Sequence, residues 1–302
     1  MSYEINTIVL CFDFSEKSVN ALRMGIQIAL RHDAKIIIYN AINTQYVIDR
    51  TGRQIVGSTT LQDNYDKTGR AINNLKVQLK ASHPKLKLAV RISQTNLMDG
   101  LNELIATEKA DLVLCGSSGE QNFMQTLLGS VSYQILTESV CSVIMVPEFC
   151  GKYTFEHILV PVRVSEELTD KILVSVAIAE KNDAVISLLG VSSENDRYEI
   201  GRAYLEAKKI LHTKEQNYEC RYILSENSAE QISKASEDND TDIIILNYKD
   251  ENQWKSFFAE NFFKKVIKTT ETPLFFYKPA KNTTKISKSQ IVESDITLSL
   301  QG

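Results

Sequence analysis

Apolar residues along this chain fall into two alternating rhythms. Short continuous runs rich in β-branched residues, Thr7 to Phe12 (TIVLCF), Ala34 to Ile42 (AKIIIYNAI) and Leu112 to Cys115 (LVLC), predict strands buried on both faces of a parallel sheet. Between them, apolar residues recur at helical spacing. Val19, Leu22, Ile26, Ala29 and Leu30 follow a Ser15 that fits an N-cap, and Ile72, Leu75 and Leu79 follow a polar loop through Gly52 and Gly57. Leu97, Leu101, Leu104 and Ile105 make a third such stripe. Leu86, Leu88, Val90 and Ile92 instead alternate with Lys87, Ala89 and Arg91, the pattern of a strand with one wet face, which belongs at a sheet edge. Val143 to Val146, stopped by Pro147, is the fifth strand. This alternation predicts an α/β fold: a doubly wound, Rossmann-like, mainly parallel five-stranded sheet flanked by helices, with right-handed crossovers.

The pattern then begins again. Ile158 to Val162 (ILVPV) echoes Ile8 to Phe12, and Arg163-Val164-Ser165-Glu166 stands where the first half has Asp13-Phe14-Ser15-Glu16. Ala184 to Val191 repeats the second strand, with a helix through Ile200, Ala203, Tyr204, Ala207, Ile210 and Leu211. Tyr218 to Leu224 repeats the third strand, Ser228 with Gln231 resembles a capping box, Asp242 to Leu246 repeats the fourth strand, and Leu274 to Tyr277 the fifth. An internal duplication is the natural reading, with domains at 1–150 and 151–280 and a polar tail at 281–302. That tail, rich in Lys, Ser and Thr, is expected to be disordered or loosely packed, with QIVESDITLSL able to add a strand or to dock against a neighbour.

The stretch from Leu112 to Pro147 carries the candidate chemistry. A strand delivering its C-terminal end to a glycine-bearing loop and then to a helix start presents unpaired backbone N–H groups to an anion, and the helix dipole adds to the attraction. Gly116 and Gly119 would permit positive φ and close backbone approach, Gly129 would clear space at the helix start, and the Ser130 hydroxyl can donate to a phosphate oxygen. The plainer reading keeps the glycines as turn residues and Ser130 as an N-cap. Asp13, just beyond a strand and ahead of a helix, equally fits a cap. Neither a Walker A motif nor GxGxxG is present.

Composition narrows the function classes. A chain of 302 residues, 43% hydrophobic and 24% charged, has the length for two globular domains. Its formal net charge of -4 lacks the basic excess of a nucleic-acid binder, so no nucleic-acid partner is expected. No apolar run has the length of a membrane span, and MSYEINTIVLCFDF has no signal-peptide pattern, so the expectation is a cytoplasmic protein without a membrane partner. Five cysteines without a CxxC pair read as buried reduced thiols, and four scattered histidines give no metal-ligand spacing. Trp254, Phe257, Phe258, Phe262 and Phe263 form an aromatic-rich segment suited to core packing or to an interface.

The spacing of Gly116, Gly119, Gly129 and Ser130 is similar to the ATP-binding signature of the universal stress protein family. From Thr7 to Pro279 the chain resembles a tandem member, specifically in the first half and by pattern in the second. The resemblance implies that Asp13 contacts adenine, that Cys11 stands where a proline is common, and that backbone at Ala41 helps to hold the base. Gly116 and Gly119 would approach ribose and phosphates, and Gly129, Ser130 and Val131 would donate to the phosphates. It implies ATP, or ADP or AMP, with or without Mg2+, a regulatory stress-response role, pairing of the final strands of the two halves, a homodimer as a further arrangement, and an unidentified regulatory protein partner. Glu120 and Asn122 depart from the family pattern, which commonly has a basic residue and a glycine there. Arg163 and Asn247 leave the second half without the signature. A nucleotide-independent interaction module and a slow ATP hydrolase are the alternatives; no catalytic residue is assigned.

Overall fold

The structure, a computed structural model, describes residues 3–42, 47–48, 54–55, 58–117, 131–248 and 257–279. The first half runs β1 (Thr7–Cys11), α1 (Glu16–His32), β2 (Lys35–Ala41), a small pair β3 (Val47–Ile48) and β4 (Gln54–Ile55), α2 (Ser58–Ser82), β5 (Lys87–Ser93), α3 (Leu97–Glu108), β6 (Leu112–Ser117), α4 (Val131–Glu138) and β7 (Ser142–Pro147). The second runs β8 (His157–Val162), α5 (Leu168–Asn182), β9 (Val185–Ser192), α6 (Arg197–Thr213), β10 (Tyr218–Leu224), α7 (Ser228–Asp238), β11 (Ile243–Asn247), α8 (Phe257–Thr269) and β12 (Leu274–Tyr277). Among the described residues no helix is long and apolar enough to cross a membrane.

Where the sequence pattern suggests two five-stranded sheets, the structure has one ten-stranded sheet, in the order β10-β9-β8-β11-β12-β7-β6-β1-β2-β5. All its pairings are parallel except the central one, where β12 runs antiparallel to β7 with Phe275 opposite Ile144. The order outward from that seam is the same in each half. The alternating strand β5 is indeed at one edge, and β10 is at the other. Successive side chains point to opposite faces, so Ile8 and Leu10 join one core layer with α1 and α2, and Val9 joins the other with α3 and α4.

Two local devices repeat. Asp111, just ahead of β6, accepts the N–H groups of Asn6 and Thr7 at 2.7 and 2.9 Å; Asp242, ahead of β11, accepts those of Glu156 and His157 at 2.7 and 3.0 Å. Each carboxylate ties the entry of one strand to the entry of its neighbour. Likewise α1 and α5 end on left-handed Asp33 and Asp183, whose N–H groups return to Ala29 and Ala179. The α1 start matches expectation, with Ser15 as N-cap. At α7 the cap is Asn227, bonded to the Glu230 N–H and side chain, one residue ahead of the expected Ser228 and Gln231 pair. Asn227 wins because its amide reaches both partners, whereas Ser228 is already in the helix. The cysteines are all free thiols, but Cys220 lies exposed on edge strand β10, where one face has no covering layer.

Helix α4 ends against the second half. Lys278 donates its ammonium to the carbonyls of Leu136 and Ser139 at 2.7 and 2.6 Å, over the Tyr248 ring, and the Tyr248 hydroxyl donates to the Thr137 carbonyl at 3.0 Å. Helix ends leave such carbonyls unpaired, and a cation there also suits the dipole. The Asp242 carboxylate is almost fully buried, so Asp242→Ala strands two backbone donors; we expect a loss of about 1–3 kcal/mol in urea unfolding, with a loss of the same sign for Asp111→Ala. An unchanged midpoint in both variants would show that the strand entries are held by other contacts.

Candidate functional site

The chain leaves β1 for β2 on one side, while β6 pairs on the other, so a crevice opens beyond the carboxyl ends of β1 and β6. Beyond β1 the backbone stays tied to β2: the Phe12 N–H donates to the Tyr39 carbonyl at 2.8 Å, and the Asn40 amide donates to the Phe12 carbonyl at 2.7 Å. Phe14 then turns the chain with φ 66°, a costly conformation for a bulky residue, and its exposed ring lies edge-on to Phe12 with centroids 5.0 Å apart.

Asp13 sits in this turn. Its Oδ1 accepts the Ser15 N–H at 3.0 Å and the Ser15 hydroxyl, and its own N–H donates to the Ser18 hydroxyl at 3.4 Å. Partial burial pushes the carboxyl up, but the Ser15 donors, the Ser18 hydroxyl and the Lys17 charge outweigh it and hold Asp13 below the usual carboxylate range. Asp13 is therefore an ionised acceptor at neutral pH, and its Oδ2 has no donor among the described residues. Cys11, the last residue of β1, is pushed well above the ordinary thiol range by burial and by Cys115, Cys141 and Asp13, so it is an uncharged wall. Ala41 ends β2 opposite Ser93, half-buried.

Gly116 departs from the sequence expectation. It is a strand residue paired with Val146, not a turn glycine in the left-handed region, and a Cβ there would lie 2.5 Å from the Lys17 carbonyl carbon. Its missing side chain seats the first turn of α1 on β6. Its carbonyl accepts the hydroxyl of buried Ser132 at 2.6 Å, which fixes the start of α4; the glycine pattern gave no hint of Ser132. Val131 opens α4 with its side chain exposed. Gly119, Gly129 and Ser130, with Glu120 and Asn122, lie outside the described residues, as do Trp254 and the tail 281–302.

The second half is offset by 150 positions, from Thr7 at His157 to Asp33 at Asp183. Arg163 takes the place of Asp13, and its guanidinium lies 4.6 Å from the Phe262 ring centroid. Phe263 packs on Phe276 at 5.8 Å in the core, so packing is its role. The side chains of Phe257 and Phe258 lie outside the described set.

A doubly wound sheet with a crevice at its switch point defines a Rossmann-like α/β fold, and comparison narrows the class. Residues 4–147 match the model of the Universal stress protein family. A relative from Staphylococcus saprophyticus, assigned by name to the universal stress proteins, is 26% identical over 149 residues, 46% of this chain and 82% of its own. The crystal structure of a universal stress protein from Archaeoglobus fulgidus covers 91% of this chain and 99% of its own at 18% identity, with a TM-score of 0.73, so the fold extends through both halves. A universal stress protein in complex with cAMP is 25% identical, covering 48% of this chain and 99% of its own, with a TM-score of 0.33. The first half of the chain, residues 4–147, thus matches the universal stress protein family.

Gly116→Val places a side chain into the Lys17 backbone, and we expect it to cost about 1–3 kcal/mol in ligand-free denaturant unfolding. A fully stable Gly116→Val protein would show that α1 can move off β6 freely.

Proposed function

We propose that this chain is a cytoplasmic, universal-stress-type regulatory protein that binds an adenine nucleotide, ATP ahead of ADP or AMP, in the crevice of its first half. The observation that carries the reading is Asp13, an ionised carboxylate with one oxygen spent on the turn and the other open at the switch point. Such an acceptor suits the exocyclic amine of adenine. Cys11 and the Ala41 backbone would flank the base. The segment from Gly116 through Gly119, Gly129 and Ser130 to Val131 would supply backbone and hydroxyl donors to the phosphates, and Mg2+ would offset the acid at Glu120. The reading extends to a tandem arrangement, domains at 1–150 and 151–280 with a tail at 281–302, in which the second half has no adenine site. A second reading, a nucleotide-independent interaction module working with a regulatory partner, is favoured by the structural duties that Asp13 and Gly116 already carry in the α1 turn.

Thermal unfolding of the full chain with ATP, ADP or AMP, each with and without Mg2+, tests the proposal. A ligand at one hundred times its dissociation constant stabilises by about 2.7 kcal/mol. Asp13→Asn is the informative variant: the amide oxygen can keep the Ser15 bonds while the open oxygen becomes a donor. We expect it to abolish the nucleotide shift with little change in the ligand-free midpoint, and Gly129→Val to abolish the shift by blocking the backbone. No shift with any nucleotide at millimolar concentration, together with a stoichiometric copurifying protein, would sink the first reading in favour of the second.

A further inference from the structure

The second-half crevice has been rebuilt rather than lost. With the same 150-position offset, Lys171 occupies the place of Ala21, and Asn247, on β11, the place of Gly116 on β6. In the first half those two small residues let α1 close onto β6. In the second, α5 begins two positions later than the offset predicts, and a cavity of about 310 Å³ lies between α5, α6 and the carboxyl ends of β8 and β11. That volume is at the lower end for small-molecule sites.

Its polar lining leaves buried groups without a direct charged partner. Lys171 is 1% exposed and donates its ammonium to the Pro161 carbonyl at 2.6 Å. Arg163 stacks on Phe262 and donates to the Ser228 hydroxyl at 3.3 Å. Among the described residues neither cation has an ion-pair partner. Asn247, 7% exposed, donates to the Ser165 hydroxyl at 3.0 Å, while its Oδ1 has no partner. Burial and the neighbouring Arg163 push the Lys171 ammonium down to about 7. Asp196 and Glu199 line the same cavity, so the four charges cancel and a triphosphate is disfavoured. Ile200, Leu246 and Phe262 add apolar wall.

We infer that this cavity binds a small organic monocarboxylate with an apolar body and a hydrogen-bond donor, its carboxylate meeting Lys171 and Arg163 and its donor meeting Asn247. The inference stands independently of nucleotide binding in the first half.

Calorimetry on the full chain with mandelate, phenylalanine, phenylacetate and 1-phenylethane-1,2-diol tests it. Mandelate supplies a hydroxyl donor and phenylalanine an ammonium donor, phenylacetate lacks the donor, and the diol lacks the anion. We expect saturable binding of mandelate, phenylalanine or both, several-fold weaker binding of phenylacetate, and at least about tenfold weaker binding of the diol. Lys171→Met, which keeps the volume, and Arg163→Met should each weaken the best carboxylate at least about tenfold. A second measurement guards against a folding artefact. The folded Lys171 value lies below its ordinary 10.5, so the cost of its charge is full below pH 7 and fades as pH rises from 7 towards 10.5. Lys171→Met should therefore raise the melting temperature more at pH 6 than at pH 10. The charged groups that share this cavity, Arg163 just beyond β8 and Asp196 and Glu199 at the start of α6, remain in both proteins, as do Glu167 and Asp170 at the start of its own helix. No binding of any carboxylate at about 10 mM, a diol that binds as tightly, wild-type affinity in both variants, or a Lys171→Met shift independent of pH would overturn the inference.

Discussion

The antiparallel pairing of β7 with β12 is the constraint on which the rest of the molecule depends. Each half builds a parallel sheet whose fifth strand would otherwise be a bare edge of unpaired backbone, and parallel strands are stable only when buried. Running the two final strands against each other removes both edges at once and leaves β5 and β10 as the outer strands. The seam is reinforced off the sheet. Lys278 and Tyr248, from the second half, satisfy the carbonyls at the end of α4, the helix that follows the glycine-bearing segment of the first. Any change that moves α4 must therefore either break those bonds or carry β12 with it.

The two crevices then differ for a packing reason that precedes any ligand. At the β1 and β6 exits, Gly116 and Ala21 leave little side-chain volume, so α1 sits directly on the sheet and its turn holds Asp13 in place. At the β8 and β11 exits, Asn247 and Lys171 fill part of that space, the helix starts later, and the remaining volume is cavity. Charge follows packing: the first crevice presents one open carboxylate oxygen, the second a mixed lining in which Lys171 and Arg163 are balanced by Asp196 and Glu199 against apolar wall. One fold thus presents acceptor chemistry at one switch point and mixed donor and acceptor chemistry at the other.

Much of this was legible in the residues. Short apolar runs rich in β-branched residues suit strands covered on both faces, helical stripes suit helices packed on a core, and an alternating strand in a parallel sheet suits an edge; β1, β2, β5, β6 and the helices between them appear accordingly. The restart at Ile158 was visible because burial demands the same pattern of the same element twice. The family was legible too, since the glycine spacing is local in sequence. What only the tertiary structure decided were contacts between groups far apart in the chain. Gly116 reads as a turn glycine until the first turn of α1 is placed 2.5 Å from its missing side chain. Nothing in the sequence pattern singles out Lys171, and only the register of α5 on β8 turns it inward to the Pro161 carbonyl. Periodicity specifies which face of an element is buried, but not which atoms meet there, because that depends on register, crossing and the volume of side chains contributed by other elements.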